Sequence, residues 1–201
     1  MAALFSSPPI AIAPHIWLLR GCVNTAPLLQ DIEAIAQQAP FRHMQVPSGQ
    51  SMSVAMTNCG DLGWVADAAG YRYSATDPAT QKPWPALPPS WQTLAHDAAA
   101  LVGWPGFAPD ACLVNRYEPG ARMGLHQDKN ESDYSQPIVS VSIGSSCHFQ
   151  VGGLQRRDPV KSITLHDGDV LVWGGDARLI HHGVRPLKQG LRYNLTFRVA
   201  R

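Results

Sequence analysis

Long apolar runs are missing from this 201-residue chain. No stretch approaches the roughly eighteen consecutive apolar residues of a membrane span. Cysteine is scarce as well. Cys22, Cys59, Cys112 and Cys147 lie far apart and form no Cys-x-x-Cys pair. That argues against a structural zinc site and against a disulfide framework, and buried free thiols are expected. Charge is sparse, at 15% of residues with a formal net of +1, so the overall balance points to no particular partner. The first basic residue is Arg20, and Pro8, Pro9 and Pro14 interrupt the preceding segment. It has neither the charged start nor the clean apolar core of a signal peptide, and a soluble cytoplasmic protein is expected. There is no internal repeat and no linker, and the length suits one well-cored domain over residues 1–201.

The distribution of charge says more than its total. Residues 1–115 carry four basic and seven acidic groups, whereas 116–201 carry twelve basic and eight acidic ones. A polyanion could use that asymmetry, although charge of this size is commonly just a solvated surface. Hydrophobic periodicity divides the chain in the same way. Thr25 followed by Ala26-Pro27 reads as a helix cap and first-turn proline, and Leu28, Leu29, Ile32, Ile35, Ala36 and Ala39 follow at helical spacing. Met52 to Thr57 alternates as a half-buried strand does. From Gly60 to Pro89, glycines and prolines break every regular pattern while Trp64, Tyr71, Tyr73 and Trp84 sit among them. A loop-rich stretch of that length is expected to be a lid or binding flap, spanning about residues 41–89 with its flank. Ser90 is expected to cap a second helix, Trp91 to Val102, with Gly103 as its stop. Beyond it come short alternating segments at 111–114, 138–143, 147–151, 162–165, 170–173 and 192–199, divided by turns such as Asp167-Gly168-Asp169. The expected fold is mainly β with flanking helices, an α+β arrangement whose jelly-roll core occupies about residues 110–199.

One constellation within that β half carries chemistry. His126-Gln127-Asp128 places an imidazole and a carboxylate at i and i+2, on one side of an extended chain. A second imidazole would complete a 2-His-1-carboxylate face, which binds Fe(II) and leaves positions open. Chance alone supplies about half a His-x-Asp in a chain with this many of each residue. His181 and His182 are both available, and spacing does not choose between them. The segment 192–198 is more telling, with Arg192, Asn194, Thr196 and Arg198 on one face and Tyr193, Leu195 and Phe197 on the other. A polar row usually faces water. If the apolar side packs under helices instead, two arginines enter the cavity and require anions, and a dicarboxylate fits that need.

Asn115-Arg116-Tyr117, His126-Gln127-Asp128-Lys129, His182-Gly183 and Arg192-Tyr193-Asn194-Leu195-Thr196-Phe197-Arg198 together resemble the bacterial AlkB family of Fe(II)- and 2-oxoglutarate-dependent alkylation-repair dioxygenases. The likeness runs from about Phe41 to Arg198. It implies a double-stranded β-helix core with a nucleotide-recognition lid. It further implies that His126, Asp128 and His182 ligate the iron and form the catalytic set. Arg192, with Tyr117, would take the distal carboxylate of 2-oxoglutarate, and Arg198, Asn115 and Asn194 the iron-chelating end, Arg116 belonging to the same cofactor-binding motif. Trp64 and His126 would sandwich an extruded base, with Tyr71, Arg72, Tyr73, Asn130 and Arg156 contacting the nucleotide and Met44 and Met56 walling the pocket. Lys129 and Arg122 suit backbone phosphates.

The implied reaction is oxidative demethylation of 1-methyladenine- or 3-methylcytosine-type bases with O2 as oxidant, releasing formaldehyde and succinate. The implied partner is single- or double-stranded DNA, or RNA, and the implied state a monomer without membrane contact. Two departures stand out. Asn130 replaces an acid, keeping hydrogen bonding but removing charge, and the connection from Leu187 to Leu191 is short. The competing readings are the same chemistry on proteins or small molecules, and a non-catalytic jelly-roll module. His15, His43, His96, His148 and His166, and Trp17, Trp91, Trp104 and Trp173, read as surface or packing residues.

Overall fold

Two antiparallel sheets face one another, and the space between them holds the polar residues that matter most. The computed structural model describes residues 7–201; the first six residues of the expected 1–201 unit lie outside the described residues. In chain order the elements are β1 (Ile10–Ala13), β2 (Ile16–Leu19), α1 (Ala26–Gln38), β3 (Arg42–Gln45), β4 (Ser51–Gly60), β5 (Gly63–Asp67), β6 (Gly70–Ser74), α2 (Pro89–Leu101) and β7 (Ala111–Tyr117). There follow β8 (Met123–His126), β9 (Ile138–Gly144), β10 (Cys147–Val151), β11 (Lys161–Leu165), β12 (Val170–Trp173), β13 (His182–Val184) and β14 (Arg192–Arg198). The major sheet runs β1-β2-β12-β9-β14-β7-β4-β3 and the minor sheet β11-β10-β13-β8, with β5-β6 as a separate hairpin. This is a jelly roll, mostly β with two helices.

Alternation explains why the sheet closes as it does. On β14, Leu195 and Phe197 join Val114 of β7 and Val139, Val141 and Ile143 of β9 beneath Leu28, Ile32 and Ile35 of α1 and Trp91 and Leu94 of α2. Phe197 meets Trp91 edge-on, with ring centroids 6.2 Å apart. Each such fully buried side chain contributes roughly 1.5–3 kcal/mol. Because the helices cover the apolar side, successive β14 residues of the other parity point between the sheets. The polar row is therefore the cavity face, not the solvent face. Phe197→Ala would open a void under Trp91, at a cost of about 3–5 kcal/mol.

Local signals were realised with three differences. Thr25 precedes α1 but makes no cap bond; its hydroxyl donates to Asp167 instead, at 3.0 Å. The second helix starts at Pro89 rather than after Ser90, with Pro88 at the cap position and no side-chain cap. The stretch from Gly60 to Pro89 is not all loop, since β5 and β6 pair from Gly63↔Ser74 to Asp67↔Gly70. Glycine is required at the entry, because Gly60 has φ +115° and a Cβ there would lie 2.5 Å from the Asp110 carbonyl oxygen. The N-terminal hairpin β1-β2, which extends the major sheet through β12, was not anticipated from the sequence. No helix among the described residues is long and apolar enough to cross a membrane.

Candidate active site

His126 ends β8, and His182 begins β13 directly across from it in the ladder. Their rings sit 4.4 Å apart between centroids. Asp128 follows two residues beyond the strand end, so its carboxylate returns to the same side. One ligand atom from each of the three lies within 4.8 Å of the others. Asp128 Oδ1 is 3.5 Å from His126 Nε2, and its Oδ2 is 3.5 Å from His182 Nε2. Alternation decides the histidine pair that spacing left open. His182 is buried against Phe149 and Trp173, whereas His181 faces the rim, where its ring contacts the Gly153 carbonyl at 3.2 Å. Gly183 permits the pairing, since a Cβ there would fall 2.7 Å from the Met123 carbonyl oxygen on β8.

The imidazoles are set for metal. Nδ1 of His126 is 2.9 Å from the Gly124 carbonyl oxygen, and Nδ1 of His182 is 3.2 Å from that of Ile180. A carbonyl only accepts, so each Nδ1 carries the proton and each Nε2 lone pair faces Asp128. Burial would raise the Asp128 pKa, but the Arg198 guanidinium and His182 outweigh it and hold the carboxyl well below its ordinary value. Burial, reinforced by neighbouring His126, lowers His182. Near neutral pH Asp128 is therefore a carboxylate and His182 a neutral imidazole, the forms that ligate metal. Burial would lower His126, but the Asp128 carboxylate outweighs it and raises its pKa, so that a metal would displace a proton there.

Behind the cluster, Arg192, Asn194, Thr196 and Arg198 all point inward and all are buried. Arg198 donates from Nη2 to Asp128 Oδ2 at 2.7 Å, and its Nη1 lies 3.3 Å from the Tyr73 hydroxyl. Asn194 is fixed by the Ser140 hydroxyl at 2.8 Å and the Val141 carbonyl at 3.0 Å. Arg192 is different. It is 1% exposed, donates once, to Ser142 Oγ at 3.1 Å, and lies 4.9 Å over the Tyr117 ring. Its Nε and Nη1 have no partner, and neither has Asn115 Oδ1. No carboxylate pairs with it among the described residues. A buried cation without an anion is costly, so this end of the chamber is built for an acidic ligand. Tyr117, whose ring lies against that guanidinium, has its pKa pushed up to about 12 by burial, which keeps its hydroxyl protonated and able to donate.

Above the cluster lies a second cavity of about 460 Å³, bordered by Met56, Trp64, Tyr71, His126, Asn130 and Arg156 among others. The hairpin supplies its roof. Trp64 on β5 and Tyr71 on β6 stack with centroids 5.7 Å apart and planes 15° apart. The Trp64 indole donates to Asn130 Oδ1 at 3.1 Å.

Four expected residues stand elsewhere. Arg72 projects from the hairpin and forks onto Asp67 at 2.8 and 2.9 Å. Tyr73 points down instead, donating to Glu131 Oε1 at 2.5 Å. Met44 is buried in the core and does not border this cavity. Arg116 lies on the opposite face of β7 from Asn115 and Tyr117, over the Phe41 ring at 5.0 Å and 3.3 Å from Glu118. Residues the sequence left unmarked also matter. Trp173 and Ser140 line the inner chamber. Arg178 braces the segment after Asp128, donating to the Asp128 carbonyl at 2.8 Å and pairing with Glu131 at 3.1 Å. Only the inward parity of β12 and β9 could have flagged the first two; nothing local marks Arg178.

A family model described as the 2OG-Fe(II) oxygenase superfamily matches residues 15–198. The alpha-ketoglutarate-dependent dioxygenase AlkB of Escherichia coli (strain K12) is 54% identical over 200 residues, covering 96% of this chain and 92% of that protein. The chain belongs to the AlkB dioxygenases of the 2OG-Fe(II) oxygenase superfamily. A solved structure titled "The structure of OsALKBH1" superposes with a TM-score of 0.83 at 27% identity, covering 96% of this chain and all of that one. The nucleic acid dioxygenase ALKBH1 of Homo sapiens is 32% identical over 123 residues, which cover 61% of this chain and 31% of that protein. As a member of the AlkB dioxygenases, the protein is an enzyme that uses Fe(II), 2-oxoglutarate and O2. The His-Asp-His cluster and the orphaned Arg192 nitrogens fit that pair of groups.

Proposed function

We propose that this enzyme oxidatively dealkylates N-alkylated nucleic-acid bases, of the 1-methyladenine and 3-methylcytosine type, and so repairs DNA by direct reversal. The observation that carries the reading is the aromatic-roofed cavity opening directly onto His126 and Asp128. Its size and its stacked Trp64–Tyr71 wall suit a flat heterocycle. A base cannot be reached inside a stack, so it must be extruded and held by faces that tolerate many rings. A base alkylated at a ring nitrogen is cationic, and an aromatic face attracts cations. The relative named a nucleic acid dioxygenase supports the same substrate class. Single- or double-stranded DNA, or RNA, is the partner, and we read the protein as a cytoplasmic monomer built as one domain.

In this reading His126, Asp128 and His182 hold Fe(II). Arg192 and Tyr117 take the distal carboxylate of 2-oxoglutarate, and Asn115, Asn194 and Arg198 take its other end. When bound, Fe(II) and 2-oxoglutarate would supply the oxidising chemistry, in which O2 is consumed, the co-substrate is converted to succinate and carbon dioxide, and one oxygen atom is delivered to the N-alkyl carbon. The chain supplies position and exclusion. Trp64 and the His126 ring hold the base so that the alkyl carbon faces the metal cluster, and Arg198 keeps Asp128 ionised and oriented. Phe149 and Trp173 give the inner side apolar surface. Arg156, steadied by its bond to the Leu125 carbonyl at 2.8 Å, and Lys129 border the cavity where a phosphate would pass. The hydroxymethyl base that results releases formaldehyde and leaves the base restored.

Aerobic incubation with Fe(II), 2-oxoglutarate and oligonucleotides carrying 1-methyladenine or 3-methylcytosine tests the reading. Formaldehyde and succinate in equal amounts support it. Succinate without formaldehyde from either oligonucleotide overturns the substrate assignment.

A further inference from the structure

Residues 127–137, between β8 and β9, belong to no helix or strand, and no turn or loop backbone bond among the described residues involves them. Yet this segment carries Asp128, which must stand at a fixed distance from His182 to share a metal with it. Side chains hold the segment instead, and they converge on one turn. That turn, Gly175–Ala177, leaves β12 and leads into His182. Arg178 caps it, is 2% exposed and borders neither of the two cavities. From Nη1 it donates to the Asp128 carbonyl at 2.8 Å, and from Nε to the Gln136 carbonyl at 3.0 Å. Its Nη2 lies 3.1 Å from Glu131 Oε2. A guanidinium is planar, so three acceptors on one fork are fixed relative to each other. The next residue adds a further tie, since Gln127 donates to the Leu179 carbonyl at 2.6 Å.

The side chain and main chain of Asp128 are thus held separately. Arg198 fixes the carboxylate, with Nη2 2.7 Å from Oδ2, while Arg178 fixes the backbone that carries it. Arg178 also restrains a competitor. Glu131 is buried, and its Oε1 lies 3.4 Å from Arg198 Nε. With Arg178 removed, Arg198 is the cation left to this buried carboxylate and is drawn away from Asp128. We infer that Arg178 is a positioning residue for the metal site, setting the separation of Asp128 from His182, which follows four residues after it. Ligand groups need such support, because a site loosened by a fraction of an ångström loses its geometry.

The test uses Co(II), whose visible absorption reports the arrangement of its ligands, titrated without oxygen into metal-free protein. Hydrogen exchange over residues 127–137 is read on the same metal-free samples. Arg178→Met is expected to weaken Co(II) binding by about tenfold to a hundredfold, as loss of an outer support does. The absorption bands at saturation change shape, and exchange across the segment speeds up. Arg178→Lys keeps a charge opposite Glu131 but cannot fork onto three acceptors, and it weakens binding by a smaller factor of about three to ten. A residue that only stabilises the fold lowers the melting temperature and leaves the Co(II) affinity of the folded protein alone. Affinity within about threefold of the wild type in folded Arg178→Met therefore overturns the inference, whatever the melting temperature does. If that variant does not fold, Arg178→Lys decides: weaker Co(II) binding supports the role, and wild-type affinity overturns it.

Discussion

The two cavities that meet at His126 and Asp128 are built on opposite principles. The inner chamber is made by strand interiors. Its polar atoms are buried, held by one another across β14, β9 and β7, and left unpartnered chiefly at Arg192 and Asn115. The outer cavity is roofed by a two-stranded hairpin whose Tyr71 is 45% exposed and whose wall is set by stacking and one indole bond. A chamber of fixed dipoles suits a ligand that never varies, and the co-substrate is such a ligand. A half-exposed aromatic slot suits ligands that share only flatness. On the proposed function the contrast teaches that selectivity is divided: buried geometry and charge for 2-oxoglutarate, an aromatic slot for the base.

Substitutions at the shared edge should damage both regions most. Asp128→Ala removes a metal ligand and the counter-ion of buried Arg198, and is expected to lower turnover by more than about a thousandfold, with metal affinity falling in parallel. Fe(II) affinity close to that of the wild type would separate Asp128 from the metal site. Trp64→Ala should strike the outer cavity alone, raising KM for oligonucleotide by roughly ten- to a hundredfold, as loss of one stacking face does. Decarboxylation of 2-oxoglutarate without substrate should stay near the wild-type rate, and a matching fall there would mean the regions are not separable. Tyr73→Phe tests the link between them. Its hydroxyl bridges Glu131 and Arg198, and its loss should cost about 1–3 kcal/mol in denaturant unfolding. Unchanged stability would show that the bridge contributes nothing. Arg72→Ala is the smallest, because Arg72 and Asp67 pair on the exposed outer side of the hairpin. Oligonucleotide turnover should remain within about twofold of wild type, and a tenfold loss would return Arg72 to the nucleotide path.

The inner chamber was legible in the sequence because period-two alternation is a strict geometric rule. Arg192 to Arg198 could be divided into two faces by eye, and burial of the Phe197 side settled which face the arginines take. Arg116 was assigned with its motif rather than by that rule, and its parity on β7 takes it away from the chamber that Asn115 and Tyr117 enter. The hairpin was harder. Gly60, Gly63 and Gly70 read as breakers, yet each belongs to a strand end or turn, and pairing between β5 and β6 depends on a partner the local pattern does not reveal. Trp173 read as packing because an apolar strand gives no sign of which face borders a site. Thr25 and Ser90 matched helix-start chemistry, but α1 and α2 draw their stability from packing on the sheet and dispense with the cap bonds.

Arg192 tests the account most directly, because its orphaned guanidinium is the claim that the β14 face exists to hold a dicarboxylate. Calorimetric titration of 2-oxoglutarate into Mn(II)-loaded protein should show tight binding by the wild type and binding weaker by about a hundredfold or more in Arg192→Met. The ligand-free variant should melt no lower than the wild type, since an unpaired buried charge has been exchanged for an apolar side chain of similar length. Equal affinity for 2-oxoglutarate in both proteins, or a ligand-free variant destabilised by several kcal/mol, would contradict it.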